Sequence, residues 1–116
     1  MFPKGTGRKT DRQRKAARYR RLRPTVRQRA HDLDGGRCIW PSCRALVSLA
    51  SAHEHEVQWR SRGGSAVDLE NVATTCPACH RDLHGQVGGL KKKMTGTRTA
   101  GFQFFEKREG VWVEVT

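Results

Sequence analysis

Cys38-Ile39-Trp40-Pro41-Ser42-Cys43 and Cys76-Pro77-Ala78-Cys79-His80 bracket Ala52-His53-Glu54-His55-Glu56-Val57, and the reading of these three stretches decides the fold. The cysteines form one C-x4-C pair and one C-x2-C pair, with none left over. Each spacing lets two thiolates of one turn reach a single Zn²⁺ about 2.3 Å away, and two such turns complete a tetrahedron. Cys38, Cys43, Cys76 and Cys79 are therefore read as structural zinc ligands. Zinc alone does not account for the histidines at 53, 55, 80 and 84. His80 and His84 stand at i and i+4 on one helix and share a face, which suits a divalent metal.

Working outward, Leu46 to Val57 reads as one or two extended segments, 58 to 70 as a glycine-bearing loop, and Val72-Ala73-Thr74-Thr75 as a short strand. Pro77 opens a helix, as proline does at a first position, and Gly85 closes it. Strand, loop, strand, helix makes a ββα unit. Upstream, Asp11 to Leu22 is rich in helix formers but offers only Tyr19 and Leu22 as sizeable apolar groups. It is expected to be a solvated helix or an arm that orders on a partner. Pro24 is expected to start a separate short helix, with Val26, Ala30 and Leu33 facing the core and Gly35-Gly36 ending it. Downstream, Lys91 to Gly101 reads as a flexible link, and Phe102 to Val115 as a β-hairpin turning within Glu106-Lys107-Arg108-Glu109-Gly110. A lone hairpin is marginal, so it must dock on the domain or on a partner.

Residues 4 to 29 hold 12 of the 23 Lys and Arg against one acid, a net +11, whereas everything from Ala30 onward is near neutral at +1. Such a basic arm seeks a polyanion. No apolar run approaches the ~18 residues of a membrane span, and the N-terminus lacks a short apolar signal core. A cytoplasmic protein without membrane attachment is expected, and in that reducing compartment four cysteines suit a metal better than disulfides. A domain this small also needs a staple.

Taken in order, Ala52 to Val57, Arg60-Ser61-Arg62-Gly63-Gly64-Ser65, Leu69-Glu70-Asn71, Cys76-Pro77-Ala78-Cys79-His80 and His84 resemble the HNH endonucleases of the ββα-metal superfamily. The resemblance runs from about Asp34 to His84. It implies a small α+β fold whose ββα-metal core surrounds the four-cysteine zinc site. On this reading, residues 1–23 are a basic helical arm, 24–90 the zinc-stapled nuclease core, and 91–116 a linker and hairpin. It implies His80 and His84 as ligands of one catalytic divalent ion, Mg²⁺, Mn²⁺ or Ni²⁺, and Asn71 as the residue bracing the loop. Spacing from Gly63-Gly64 puts His55 at the strand's metal-ligand position and Glu56 where the family carries its general-base histidine. Two alternatives stand beside this: a register shifted by one, with Glu54 as ligand and His55 as base, and a role for His53, which shares a strand face with His55.

The implied activity is hydrolysis of DNA phosphodiester bonds to 5′-phosphate and 3′-hydroxyl ends. Arg60 and Arg62 are placed to meet phosphate, and Arg14, Lys15, Arg18, Arg20 and Arg21 supply the arm's DNA contacts. Small free-standing members occur in bacteriophage and prophage genomes beside packaging or mobile-element machinery, which would place this chain in the host cell cytoplasm. The competing class is a zinc-knuckle module that binds nucleic acid without cutting. A basic ribosome-associated or RNA-binding protein fits composition alone.

Overall fold

In the computed structural model, residues 8–85 and 88–116 are described. Lys4, the first base of the arm, lies outside them. Over the described residues the chain is a small α+β protein with two α-helices and two antiparallel sheets.

Helix α1 spans Asp11–Leu33. Its start is a capping box: the Thr10 hydroxyl accepts from the Gln13 N–H, and the Gln13 side chain accepts from the Thr10 N–H at 2.9 Å. The helix runs through Pro24 without a break, so the expected separate helix beginning there is corrected to the second half of one long helix. An internal proline costs roughly 3 kcal/mol. Docking of the second half offsets this: Ala30 is buried, and Arg27 donates to the carbonyls of Leu49 and Ala52. Leu33, expected on the core face, is 59% exposed, because the helix is held to the core by its arginines more than by an apolar stripe. Asp34 caps the end, and Gly35 and Gly36 turn away with left-handed φ of 71° and 67°.

The cysteine turn from Cys38 to Cys43 closes on Trp40, whose carbonyl accepts from the N–H groups of Cys43 and Arg44. Strand β1 (His53–Glu56) pairs antiparallel with β2 (Val72–Thr75) in the register His55↔Ala73. All four β2 residues are buried. One reason is that the cysteine turn covers the strand's other edge, with Ile39 N–H donating to the Thr74 carbonyl at 2.8 Å. Between the strands the chain makes two short 3-10 turns, Arg60–Arg62 and Leu69–Asn71. Helix α2 (Pro77–His84) follows β2 directly, with Cys76 as N-cap, Pro77 in its first turn and Gly85 left-handed at its end. The expected strand, loop, strand, helix order is present.

The C-terminal region departs from expectation. Lys91 to Gly101 is not a flexible link: it contains strand β3 (Lys92–Thr97), which joins β4 (Gly101–Arg108) and β5 (Val111–Val115) in a three-stranded sheet of order β3-β4-β5. The hairpin between β4 and β5 turns on Glu109 and Gly110, both at positive φ, the two-residue turn whose twist matches the strands. The sheet docks on the cysteine core through Met94, Phe102, Phe104 and Val115. Trp40, wholly buried, meets Phe104 edge-on at 5.2 Å, and its indole N–H donates to Glu106. A second tie joins the β3–β4 turn to the end of α1. Arg98 grips the buried Asp34 carboxylate through two nitrogens at 2.7 and 3.2 Å, while Asp34 also accepts the Thr74 N–H. Among the described residues no helix is long and apolar enough to cross a membrane.

Candidate metal centres and the cleft between them

Two groups of ligand-type side chains converge. The sulfurs of Cys38, Cys43, Cys76 and Cys79 lie within 4.8 Å of one another, with Cys43 and Cys76 at 3.8 Å. A tetrahedron with Zn–S bonds of ~2.3 Å has edges of about 3.8 Å. The four cysteines are free of disulfides, and their cluster is compatible with a structural metal such as zinc. The local chemistry suits a cation. The neighbouring Cys79 thiol holds Cys38 well below the usual thiol range, against the opposing effect of burial, while Cys38 in turn pushes Cys79 up. Four thiols in so small a space compete for protons that one ion replaces. The Lys92 ammonium sits 3.2 Å from the Cys79 sulfur and 3.3 Å from the Asp82 carboxylate, a positive charge beside a site that is anionic once its thiols ionise. Burial opposes that charge, but these two partners outweigh it and raise Lys92.

The second group is His55, His80 and His84, whose ligand nitrogens also lie within 4.8 Å of one another. β1 delivers His55 and α2 delivers the other two from one face, with the His80 and His84 rings 4.3 Å apart. His55 is 2% exposed. Burial first, then His80 and His84, hold it down to about 3, and burial with His84 and His53 holds His80 at about 4. Both are thus neutral imidazoles near pH 7, the form that binds metal. The Nδ1 of His55 is buried without a hydrogen-bond partner, so the donor set fits a cation.

Strand alternation sorts the remaining candidates. His53 shares the face of His55, and its Nδ1 lies 3.1 Å from Nδ1 of His80, at the side of the trio. Glu54 turns to the opposite face, where its buried carboxylate meets Arg23 at 3.7 Å and Arg27 at 3.5 Å. Burial raises its pKa against the pull of both arginines. The structure therefore brings His55, and not Glu54, to the helix histidines. Glu56 lines a cavity of about 250 Å³ together with His80, His84, Tyr19 and Arg23. Its Oε1 accepts from Arg60 Nε at 3.0 Å.

Asn71 is buried and makes three bonds with its side chain. Its Oδ1 accepts the Gln58 N–H at 2.7 Å, and its Nδ2 donates to the carbonyls of Gln58 and Ser65. It braces the loop that follows Glu56. Gly64 closes the same knot: a Cβ there would stand 1.7 Å from the Gln58 carbonyl oxygen.

The basic residues divide. Arg60 donates to the Tyr19 hydroxyl at 2.8 Å and stacks over its ring, tying the loop to α1. Lys15, Arg18 and Arg20 face Gly63 and Gly64 across a groove of about 910 Å³. Arg14 pairs with Asp11, and Arg21 is exposed on the helix away from that groove's lining. Arg62 lines a third cavity with Trp59, whose indole lies parallel to the His84 ring at 6.1 Å. Sequence reading passes over Trp59, although a tryptophan in a loop of polar and glycine residues is itself a signal. It also misses Glu54 as the anchor of α1, for which the alternating His-Glu-His-Glu pattern is the signal. Comparison of the chain with protein-family models, curated proteins and solved structures gave no match.

Proposed function

We propose that this chain is a metal-dependent DNA endonuclease of HNH type, hydrolysing phosphodiester bonds to leave 5′-phosphate and 3′-hydroxyl ends. The observation that carries the reading is the convergence of three histidines from β1 and α2, two of which, His80 and His84, line a cleft with Glu56 next to a loop braced by Asn71. His55, His80 and His84 hold one divalent ion, Mg²⁺, Mn²⁺ or Ni²⁺, which when bound stabilises charge on the scissile phosphate. Glu56, which lines that cleft together with Glu54, accepts a proton from water; Glu54 is engaged by Arg23 and Arg27, and Arg60 keeps the Glu56 carboxylate oriented. Zinc on the four cysteines is structural, fixing the start of α2 and hence the two helix histidines. Lys15, Arg18 and Arg20 hold the DNA backbone along the groove that α1 forms with the Gly63-Gly64 loop. Four free thiols suit a reducing cytoplasm.

One observation favours a second reading, a zinc-knuckle module that binds nucleic acid without cutting: the Glu56 carboxylate is engaged by Arg60. Supercoiled plasmid incubated with the protein and Mg²⁺, Mn²⁺, Ni²⁺ or EDTA separates the two. Relaxed or linear product that requires the metal and disappears in His80→Ala supports the endonuclease. Plasmid retardation without any cleavage under every metal supports the binding module.

A further inference from the structure

Trp59 is 43% exposed and borders two cavities at once. On one side lies the cleft of Glu56, His80 and His84. On the other lies a cavity of about 400 Å³ between the loop after β1, α2 and β3, within the ~300–1,000 Å³ range of pockets that take small organic groups. Its lining includes apolar Val57, Leu83 and Met94 together with His55, and the basic residues Arg62, Lys92 and Lys93. Arg62 has no carboxylate partner among the described residues. The Lys93 ammonium is held over the rings of Phe105 and Trp112, so Arg62 is the cation left to meet an anion. A largely apolar cavity lined by an exposed indole and an arginine without a carboxylate partner matches a nucleotide: a flat base for the cavity and the ring, a phosphate for the arginine.

We propose that this cavity binds one unpaired base of a nucleic-acid strand whose neighbouring phosphate lies in the histidine cleft, with Trp59 as the stacking surface. The inference rests on the nuclease reading for the position of that phosphate. A paired base must leave its duplex to enter, at a cost that a single strand, a nick or a mismatch largely avoids. The protein therefore prefers single-stranded or distorted segments over intact duplex of the same sequence.

The test is fluorescence anisotropy of a labelled single-stranded oligonucleotide and of its duplex, with no divalent ion added so that cleavage is not supported. Chelators are left out because they remove structural zinc and unfold small zinc-stapled domains, and zinc content and intact oligonucleotide are measured alongside. Single strand is expected to bind more tightly than duplex. Trp59→Ala is expected to weaken single-strand binding about 5- to 150-fold, the range that loss of one base–aromatic stack produces, while Trp59→Phe keeps most of it. Because Trp59→Ala also removes the ring beside His84, an independent readout uses the unaltered protein: 2-aminopurine placed successively along the strand should be quenched strongly at one position. Equal affinity for both nucleic acids, an unaffected Trp59→Ala, or even quenching at every position overturns the proposal. Absent plasmid cleavage with intact Trp59-dependent binding would instead sink the endonuclease reading and leave the base pocket standing.

Discussion

Gly63 and Gly64 are adjacent, yet the structure assigns them different constraints, and substituting each by alanine separates the two. At Gly64 the obstacle is space. A Cβ would lie 1.7 Å from the Gln58 carbonyl oxygen, and separations below 3.0 Å are essentially never tolerated, so the two segments must part by at least 1.3 Å. The Asn71 Nδ2 bond to that carbonyl, now 2.9 Å, is then broken, and the 2.7 Å bond from the Gln58 N–H to Asn71 is strained with it. Leaving each such buried group without a partner costs about 1–3 kcal/mol, so Gly64→Ala should lose about 2–5 kcal/mol. For a domain of this length that is a fall in melting temperature of about 10–20 °C. At Gly63 the obstacle is backbone conformation alone: φ is 89°, and the nearest atom to an added Cβ is the end of the Gln58 side chain at 3.7 Å. Gly63→Ala should cost about 1–2 kcal/mol. Thermal unfolding followed by circular dichroism reads both. Equal destabilisation by the two substitutions, or a Gly64→Ala protein melting within about 2 °C of the unaltered chain, would show that the Gln58 carbonyl does not crowd Gly64, because the expected shift is several times larger.

The other expectations concern the two metal sites and the basic face. Cys76→Ser should release the zinc and unfold much of the domain, since structural zinc contributes on the order of 10 kcal/mol in small domains; a zinc-free variant with unchanged melting rejects this. Glu56→Gln should keep metal and DNA binding but lower cleavage roughly 10²–10⁴-fold, without rescue by added metal, whereas Glu56→His should preserve or raise it. Undiminished cleavage by Glu56→Gln removes Glu56 from the chemistry. Replacing Lys15, Arg18 and Arg20 together by Gln should reduce the slope of log affinity against log salt by about 2.7, three contacts at roughly 0.9 each; an unchanged slope means that this face does not meet phosphate. The buried His55 and His80, held down to about 3 and about 4, take up fewer protons folded than unfolded when no divalent ion is added. Their contribution to stability is therefore complete above pH ~6.5 and lost as pH falls from there through the folded values. Carboxylates titrate in the same range, so the measurement is a comparison of melting against pH for the unaltered chain and for His55→Asn, whose pH dependence should be shallower; identical profiles reject the assignment.

The parts legible from sequence are those encoded locally. Two cysteine pairs, a proline after Cys76, two histidines a helical turn apart and an alternating strand each state their geometry within a few residues. What escapes depends on partners distant in the chain. Strand β3 reads as a linker because Lys92, Lys93, Thr95 and Gly96 are polar or small, and only Met94 is buried. Its pairing partner supplies the order. The Asp34–Arg98 grip spans 64 positions and has no local signature. Continuity of α1 through Pro24 is hidden for the same reason. Local chemistry favours a stop there, and the opposing contacts come from Leu49, Ala52 and Glu54.

Those contacts also connect the strand's two faces. In His53-Glu54-His55-Glu56 the side chains alternate, so the histidines turn to α2 while Glu54 turns to the arginines of α1 and Glu56 to the loop's Arg60. A slip of one residue would bury His55 among arginines and set Glu54 among imidazoles, reversing both charge matches. The strand is held against such a slip at both ends. The Val57 N–H donates to the Asn71 carbonyl at 2.9 Å just past Glu56, and the His53 carbonyl accepts from the Thr75 hydroxyl at 3.1 Å. Asn71 thus fixes the register of the strand through its backbone and the shape of the following loop through its side chain. The position of Glu56 in the cleft with His80 and His84 depends on both, which makes the asparagine's placement a condition for the cleft rather than a detail of the loop.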